Sequence, residues 1–269
     1  MGILDEIKKD ANKSFTTLSN PIEEEITVEL NKLFYLEKDI PNELKFLKSV
    51  MTRGQETTER KGLHASAVIV SDKKFCYRQQ VLSLLYKQKQ GEQINVGLRR
   101  IFSEGDAVHE KWQRLFIRGG LCSPLDCDFS RFSEEYELSY TPDIICTLFG
   151  RKMVVEIKSV NTYQFKKMLS HASGKKQLQL YMHLTGIPEG FVLCEDKNDQ
   201  NFKVYYYKYD EAMVKPFVER LENIQQHKNK LINKGRLVKR SEACTDYECK
   251  MAQTCPMREV CYGKSKERL

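Results

Sequence analysis

Two short apolar segments joined by a glycine turn constrain the fold of this chain more than any other feature. Residues 144–149 and 153–160 have the length and composition of β-strands, and Gly150 lies between them. The pattern therefore predicts an antiparallel hairpin. Further predicted strands at 136–140, 191–194 and 202–207 indicate a sheet, and the amphipathic segments around them indicate an α/β fold.

Asp143 immediately precedes this hairpin, and Glu156 and Lys158 lie on its second strand. Side chains alternate along a strand, so Glu156 and Lys158 are expected on the same face. The hairpin brings Asp143 to the same end of the sheet. Two carboxylates are hard oxygen ligands for Mg²⁺ or Mn²⁺, and a nearby lysine can stabilise developing negative charge. This combination suits metal-assisted hydrolysis of a phosphodiester bond.

Helical spacing of apolar residues places helices on both sides of the predicted strands. One helix opens at Asn20-Pro21 and a second after Pro41. Ser103, with Asp106 three residues later, is typical of a helix N-cap. We expect an N-terminal helical segment (1–61), a core (62–240) and a C-terminal cysteine segment (241–269). Further helices are predicted at 77–86, 103–118, 175–184 and 213–232.

Positive charge is concentrated in two stretches of a chain whose formal net charge is +7. Residues 151–176 carry seven Lys/Arg and one acid, and residues 212–240 carry eight Lys/Arg and two acids. Such stretches suit a polyanion, because lysine and arginine at phosphates release condensed counterions. A solvated helix face without a partner remains the alternative.

A resemblance to a known family emerges when further residues are added in chain order. His109 lies on a predicted helix before Asp143, and Gln177 and Tyr181 share one face of a helix after Lys158. The order His, Pro-Asp, Glu-x-Lys, Gln-x-x-x-Tyr resembles the RecB-like exonuclease branch of the PD-(D/E)XK nuclease superfamily. The resemblance spans residues 62–262.

The resemblance implies a restriction-endonuclease-like core, in which a mixed central sheet is flanked by helices. It also implies that His109, Asp143, Glu156 and the Ile157 carbonyl bind Mg²⁺ or Mn²⁺. Asp143, Glu156, Lys158, Gln177 and Tyr181 would form the catalytic set. The strand of DNA would be guided by Lys166, Lys167, Lys175 and Lys176. Tyr163 and Phe165 are candidates either for base stacking or for core packing.

Four of the nine cysteines lie in the last 29 residues, at Cys244, Cys249, Cys255 and Cys261. This tail resembles the ending of iron–sulfur RecB-like nucleases, including AddB-type subunits and CRISPR-adaptation nucleases. There, one distant upstream cysteine, here Cys76, joins three C-terminal ones around a [4Fe–4S] cluster. Ala252 stands where that group usually has a cysteine. The expected ligands are Cys76, Cys249, Cys255 and Cys261, with Cys244 as the alternate.

A zinc site made from the four C-terminal cysteines is the alternative to the iron–sulfur cluster, and free thiols are a third possibility. Cys146 and Cys194 fall in apolar strands and are expected in the core.

The expected function is exonucleolytic hydrolysis of DNA ends or single strands, in recombination, repair, phage DNA processing or CRISPR adaptation. The alternatives are a structure- or site-specific endonuclease of the same fold, or a non-catalytic DNA-binding module with a zinc site. Circular DNA separates the first two. A helicase or a recombination or adaptation protein would have to be a separate chain, because no phosphate-binding loop motif is present. Oligomers are possible.

No apolar run approaches the roughly 20 residues of a membrane span. The charged N-terminus lacks the apolar core of a signal peptide. We expect a cytoplasmic protein without membrane contact, encoded by a bacterium, an archaeon or a phage.

Overall fold

The computed structural model describes residues 20–35, 62–86 and 96–263. Its strands are β1 (Leu63–His64), β2 (Arg131–Ser133), β3 (Leu138–Tyr140), β4 (Ile144–Leu148), β5 (Arg151–Val160), β6 (Glu189–Asp196) and β7 (Phe202–Lys208). Its helices are α1 (Pro21–Lys32), α2 (Ala65–Val68), α3 (Tyr77–Leu85), α4 (Val96–Arg118), α5 (Thr162–Lys167), α6 (Ala172–Thr185), α7 (Glu211–Lys234), α8 (Lys250–Gln253) and α9 (Arg258–Cys261).

The described residues form two compact units, each assembled from separate stretches of the chain. The first contains residues 20–35, 96–130 and 141–210, and the second contains 62–86, 131–140 and 211–263. The division expected from the sequence, at residues 61 and 240, stays a prediction.

A mixed four-stranded sheet forms the centre of the first unit, in the order β4-β5-β6-β7. β5 pairs antiparallel with β4 and parallel with β6, and β7 closes the sheet antiparallel to β6. The β4–β5 turn is tight: Phe149 and Gly150 both have positive φ, at 51° and 72°. The predicted hairpin is thus confirmed.

The two faces of this sheet carry different residues of β5. Met153, Val155 and Ile157 face a core shared with α1 and α4, where Trp112 and Phe116 are fully buried. The alternate residues of β5, including Glu156 and Lys158, face α6, which packs on β5 and β6. The α/β class with a mixed sheet flanked by helices, as expected for a restriction-endonuclease-like core, is therefore confirmed.

The second unit has its own three-stranded sheet, in the order β1-β3-β2, and a long helix α7 that packs against α2 and α3. The Arg220 guanidinium of α7 donates to the carbonyl oxygens of Val68 and Val70, at 2.6 Å each, and to the Asp72 carboxylate. These bonds fix α7 to the turn after α2. The short helices α8 and α9 follow in the cysteine-bearing tail.

Several predicted boundaries need correction. Ser103 is not an N-cap, because α4 begins at Val96 and passes through Ser103 without a break. The predicted strand at 136–140 shortens to β3 and pairs with β1 and β2 rather than with β4. The helix at Pro21 is confirmed, with Asn20 as its N-cap. The helix expected after Pro41 lies outside the described residues.

Among the described residues, no helix combines the length and the apolar character needed to cross a membrane.

Candidate metal centre

Asp143 is held rigidly at the start of β4. Its side chain is almost buried, and its Oδ2 accepts a 2.6 Å hydrogen bond from the backbone N–H of Ile157. Its own carbonyl oxygen accepts from the backbone N–H of Asp128 at 3.1 Å and from the Gln113 amide at 3.4 Å. The carboxylate therefore lies beside β5, and its Oδ1 takes no part in the bond to Ile157.

Glu156 is 1% exposed and lies on the α6 face of β5. Its Oε1 is 2.5 Å from the Lys158 Nζ, whereas its buried Oε2 has no hydrogen-bond partner among the described residues. Burial raises the pKa of Glu156 to about 8, and the charge of Asp143 adds to the rise. The nearby Lys158 and His109 oppose it. A buried carboxylate with an unpaired oxygen is costly unless a cation completes its surroundings.

His109 reaches the same place from α4. Its Nδ1 lies 3.4 Å from the Asp143 Oδ1. Burial acts to lower the pKa of His109, but the hydrogen bond and charge of Asp143, together with Asp128 and Glu156, outweigh it and raise the pKa. The structure thus brings His109 and Asp143 together, whereas Glu156 lies on the adjacent strand β5 and is linked to them only through charge.

Helix α4 is fixed to the sheet close to His109 by a buried carboxylate. Glu195 on β6 is 1% exposed and accepts from the Lys111 Nζ and the Trp112 Nε1, at 2.7 Å each. Lys111 and Trp112 follow His109 within one helical turn. These bonds therefore set the height and rotation of the helix that carries His109. Glu195 was not singled out from the sequence, since no local motif marks it.

Asp128 is a second residue that the sequence did not mark. Single ligand atoms from His109, Asp128 and Asp143 all lie within 4.8 Å of one another. Asp128 lies in an irregular segment between a short 3₁₀ turn (Pro124–Asp126) and β2. Its proximity to Asp143 arises from a single antiparallel bridge between Cys127 and Ile144. No periodic pattern in the sequence predicts this bridge.

Lys158 begins a chain of side-chain hydrogen bonds on the α6 face. Its Nζ donates to the Gln177 Oε1 at 3.2 Å, and the Gln177 Nε2 donates to the Tyr181 hydroxyl at 2.9 Å. Burial acts to lower the pKa of Lys158, but Glu156 and Asp143 raise it overall, so the amine stays protonated. Burial, with the charge of Glu156, raises the pKa of Tyr181.

His171, also unmarked in the sequence, caps the start of α6 next to this chain. Its Nδ1 accepts from the backbone N–H of Gly174 at 3.0 Å. Burial lowers the pKa of His171, and the charge of Lys158 lowers it further. A β-carbon on Gly174 would meet the His171 ring, Val192 and Lys158 within 3.4 Å. Glycine at this position thus lets α6 approach the sheet where Lys158 lies.

The four lysines expected to guide DNA lie on α5 and at the start of α6. Lys167 donates to the Tyr163 hydroxyl at 2.6 Å, and Lys175 lies 4.9 Å from the centre of the Tyr207 ring. Lys166 and Lys176 are exposed. Tyr163 is 69% exposed, whereas Phe165 is buried, so core packing accounts for Phe165.

Four cysteines of the second unit, Cys76, Cys244, Cys255 and Cys261, line one cavity. Cys249, an expected ligand, is not among its described lining residues. The Cys249 sulfur lies 4.0 Å from that of Cys244 and accepts from the Ala252 N–H. Arg240 and Arg258 also line the cavity, and the Arg78 Nε donates to the Cys261 sulfur at 3.2 Å.

The spacing of these sulfurs bears on the zinc alternative. Zinc–sulfur bonds of about 2.3 Å in a tetrahedron bring sulfurs within about 4 Å of one another. In the described part of the chain, no three cysteine sulfurs lie within 4.8 Å of one another. As placed, the cysteines therefore do not form a tetrahedral zinc site. Cys146 and Cys194 are buried in strands, as expected.

No protein-family model matches this chain, and no curated protein matches it either. Among solved structures, a protein titled SSO0001 aligns with a TM-score of 0.44 at 18% identity, over 83% of this chain and 95% of that one. The exonuclease LHK-Exo in complex with dAMP aligns with a TM-score of 0.48 at 16% identity, over 64% of this chain and 90% of that one. The alkaline exonuclease LHK-Exo from Laribacter hongkongensis, in a second structure, gives 0.43 at 16% identity, over 65% and 93%. At these values none of them carries an argument about activity.

Proposed function

We propose that this chain is a metal-dependent nuclease. The observation that carries the proposal is the pairing of His109 with Asp143, 3.4 Å apart, beside the strand that bears the buried Glu156, whose Oε2 has no partner in the described residues. A divalent cation in this place would stabilise the ionised carboxylates and give the unpartnered oxygen a partner.

The donor set favours Mg²⁺ or Mn²⁺ over softer metals. Carboxylate oxygens, one imidazole and a backbone carbonyl suit hard or borderline cations, whereas zinc and copper prefer more nitrogen or sulfur. His109, Asp143, Glu156 and the Ile157 carbonyl would hold the ion. When bound, such an ion neutralises phosphate charge and lowers the pKa of a coordinated water.

The remaining roles fall to Lys158 and the residues bonded to it. Its Nζ lies beside Glu156 and is held by Gln177. A protonated amine in that place can orient the attacking water or stabilise charge on the scissile phosphate. Gln177 limits the rotation of the amine, and Tyr181 in turn holds Gln177. The two therefore act as positioning residues for Lys158.

We further propose DNA as the substrate and a RecB-like exonuclease activity on DNA ends or single strands. Support comes from the order of the motifs and from exposed lysines on α5 and α6, which immediately follow the strand bearing Lys158. A place in recombination, repair, phage DNA processing or CRISPR adaptation, with a helicase as a separate chain, follows from the same resemblance.

For the second unit we propose a [4Fe–4S] cluster with a structural role, held by Cys76, Cys255, Cys261 and one of Cys244 and Cys249. The cavity lining supports Cys244, which was only the alternate ligand in the sequence-based prediction. Burial raises the pKa of the Cys255 thiol to about 11 and also raises the pKa of Cys244, so metal binding must displace these protons, because the thiolate is the form that binds metal. Zinc remains the competing ion.

The proposal is tested on linear and closed circular single-stranded DNA of the same sequence, with Mn²⁺ and anaerobically purified protein. An exonuclease shortens the linear form and leaves the circle intact. Cleavage of the circle would identify the endonuclease alternative. If neither form is cut but both are bound, the catalytic proposal fails and the DNA-binding module takes its place.

A further inference from the structure

Asp128 lies close enough to the proposed centre for its carboxylate to interact with a cation bound there. One of its side-chain oxygens is within 4.8 Å of ligand atoms on both His109 and Asp143. Asp128 belongs to none of the sequence motifs, and the proposed function assigns it no role. We infer that Asp128 is a further carboxylate of the metal centre, binding a divalent cation together with His109 and Asp143. This inference rests on the proposed function of that site.

The backbone holds Asp128 in place for such a role. Cys127 bridges Ile144, and the Asp128 N–H donates to the Asp143 carbonyl at 3.1 Å. The two aspartates therefore lie across from each other on neighbouring segments. Asp128 has a φ of 51°, in the left-handed region that aspartate and asparagine adopt more readily than most residues. Unusual backbone conformations of this kind are concentrated at functional sites.

A second observation independently calls for a cation here. The Glu156 carboxylate is 1% exposed, one of its oxygens lacks a partner among the described residues, and both His109 and Asp143 influence its charge. A buried carboxylate oxygen without a hydrogen-bond partner is costly, and a divalent cation bound nearby would stabilise it.

The position of Asp128 suggests what it adds. Glu156 and the Ile157 carbonyl approach the centre from β5, whereas Asp128 approaches from the segment before β2. Asp143 lies between them and has two carboxylate oxygens. Asp128 therefore either encloses the same ion from the opposite side or extends the centre toward a second cation position shared through Asp143. The number of bound ions separates these two forms.

The test is a titration of the protein with Mn²⁺, in which the electron paramagnetic resonance signal of the unbound ion measures how much Mn²⁺ is bound. Mn²⁺ is chosen because it prefers oxygen and nitrogen donors, so the cysteine cavity does not compete for it. The variants are Asp128→Asn, Asp143→Asn and, as a matched control, Asp199→Asn. Asparagine keeps the shape of the side chain and tolerates the left-handed backbone of Asp128. Asp199 is an exposed aspartate in the turn between β6 and β7.

We expect Asp128→Asn to weaken Mn²⁺ binding by about tenfold or more, or to remove one of two bound ions, with Asp199→Asn unchanged. Circular dichroism confirms that each variant is folded. Wild-type affinity and stoichiometry in a folded Asp128→Asn protein would overturn the inference, as would a wild-type protein that binds no Mn²⁺. If Asp128→Asn weakens binding but the wild type cuts no DNA, the metal assignment stands and the nuclease proposal fails.

Discussion

At the scale of single residues, Glu156 explains most about the centre. Its carboxylate is buried on the α6 face beside Lys158, and burial together with the charge of Asp143 raises its pKa to about 8. A divalent ion binds only the ionised form. Binding of a divalent ion therefore requires Glu156 to lose a proton, even at pH values where a free glutamate is already ionised.

We expect Mn²⁺ affinity to rise with pH up to about 8 and then to level off. Below that pH, Glu156 is protonated and must lose a proton on binding, which weakens affinity by up to about tenfold per pH unit. The raised pKa of His109 acts in the same direction. Titration calorimetry between pH 6 and 9, in buffers of different ionisation enthalpy, measures both affinity and proton release. Equal affinity at pH 6 and pH 8.5 would contradict this.

Tyr181→Phe tests the positioning role at the far end of the Lys158 chain. Without the hydroxyl, the Gln177 amide loses an acceptor and holds Lys158 less firmly. We expect kcat for DNA cleavage to fall on the order of tenfold, with unchanged Mn²⁺ affinity. Stability should fall by about 1 kcal/mol. Tyr35→Phe, at an exposed tyrosine, is the control. A rise in KM at constant kcat would instead indicate a binding role.

The placement of the residues in ordered motifs could be predicted from the sequence. The hairpin with period-two alternation predicts Glu156 and Lys158 on one face, and helical spacing predicts Gln177 beside Tyr181. Asp128 and Glu195 could not be found this way. Each depends on a non-local contact, the Cys127–Ile144 bridge in one case and the packing of α4 on β6 in the other.

At the scale of elements, α4 carries His109 to the sheet and is fixed there by one buried ion pair. The helix begins at Val96, earlier than its Ser103 signal suggested, and the exposed Ser103 lies within it, so a local capping pattern did not locate this boundary. Its placement depends on Glu195, which binds two consecutive residues of the helix.

Glu195→Ala is expected to lower the free energy of unfolding by about 3 kcal/mol. The change leaves the Trp112 N–H without its acceptor and the Lys111 amine without its partner in a largely buried setting. It should also weaken Mn²⁺ binding, because His109 shares the helix. Urea denaturation measures the first effect. The matched control is Glu29→Ala, which removes an exposed pair with Lys32 and should change stability by less than about 1 kcal/mol. Similar losses in both variants would refute the anchoring role.

At the scale of the whole molecule, the two proposed metal sites belong to different compact units. The residues of the proposed Mg²⁺ or Mn²⁺ centre belong to the first unit, and the cysteines of the cavity belong to the second. The sequence predicted both sites, and these predictions stay open, but it did not indicate that β3 belongs with β1 and β2 in a separate sheet. Pairing between strands some 75 residues apart in the chain has no local signature.

Cys261→Ser separates the two sites experimentally. We expect loss of bound iron and acid-labile sulfide, with retained Mn²⁺ binding in any folded fraction. The sulfur of Cys261 lines the cavity and accepts from Arg78. Cys146→Ser, at a buried strand cysteine, is the control for a general effect of thiol loss. Zinc in place of iron in anaerobically purified wild type would favour the zinc alternative instead.

Mn²⁺ binding and DNA cleavage, measured side by side in Lys158→Ala and Glu156→Ala, show directly whether this centre hydrolyses DNA. With end-labelled single-stranded DNA at pH 8.5, we expect Lys158→Ala to bind Mn²⁺ but not to cleave. Glu156→Ala should lose both, because it removes a ligand. Cleavage at the wild-type rate by either variant would contradict the assignment of this centre as the site of hydrolysis.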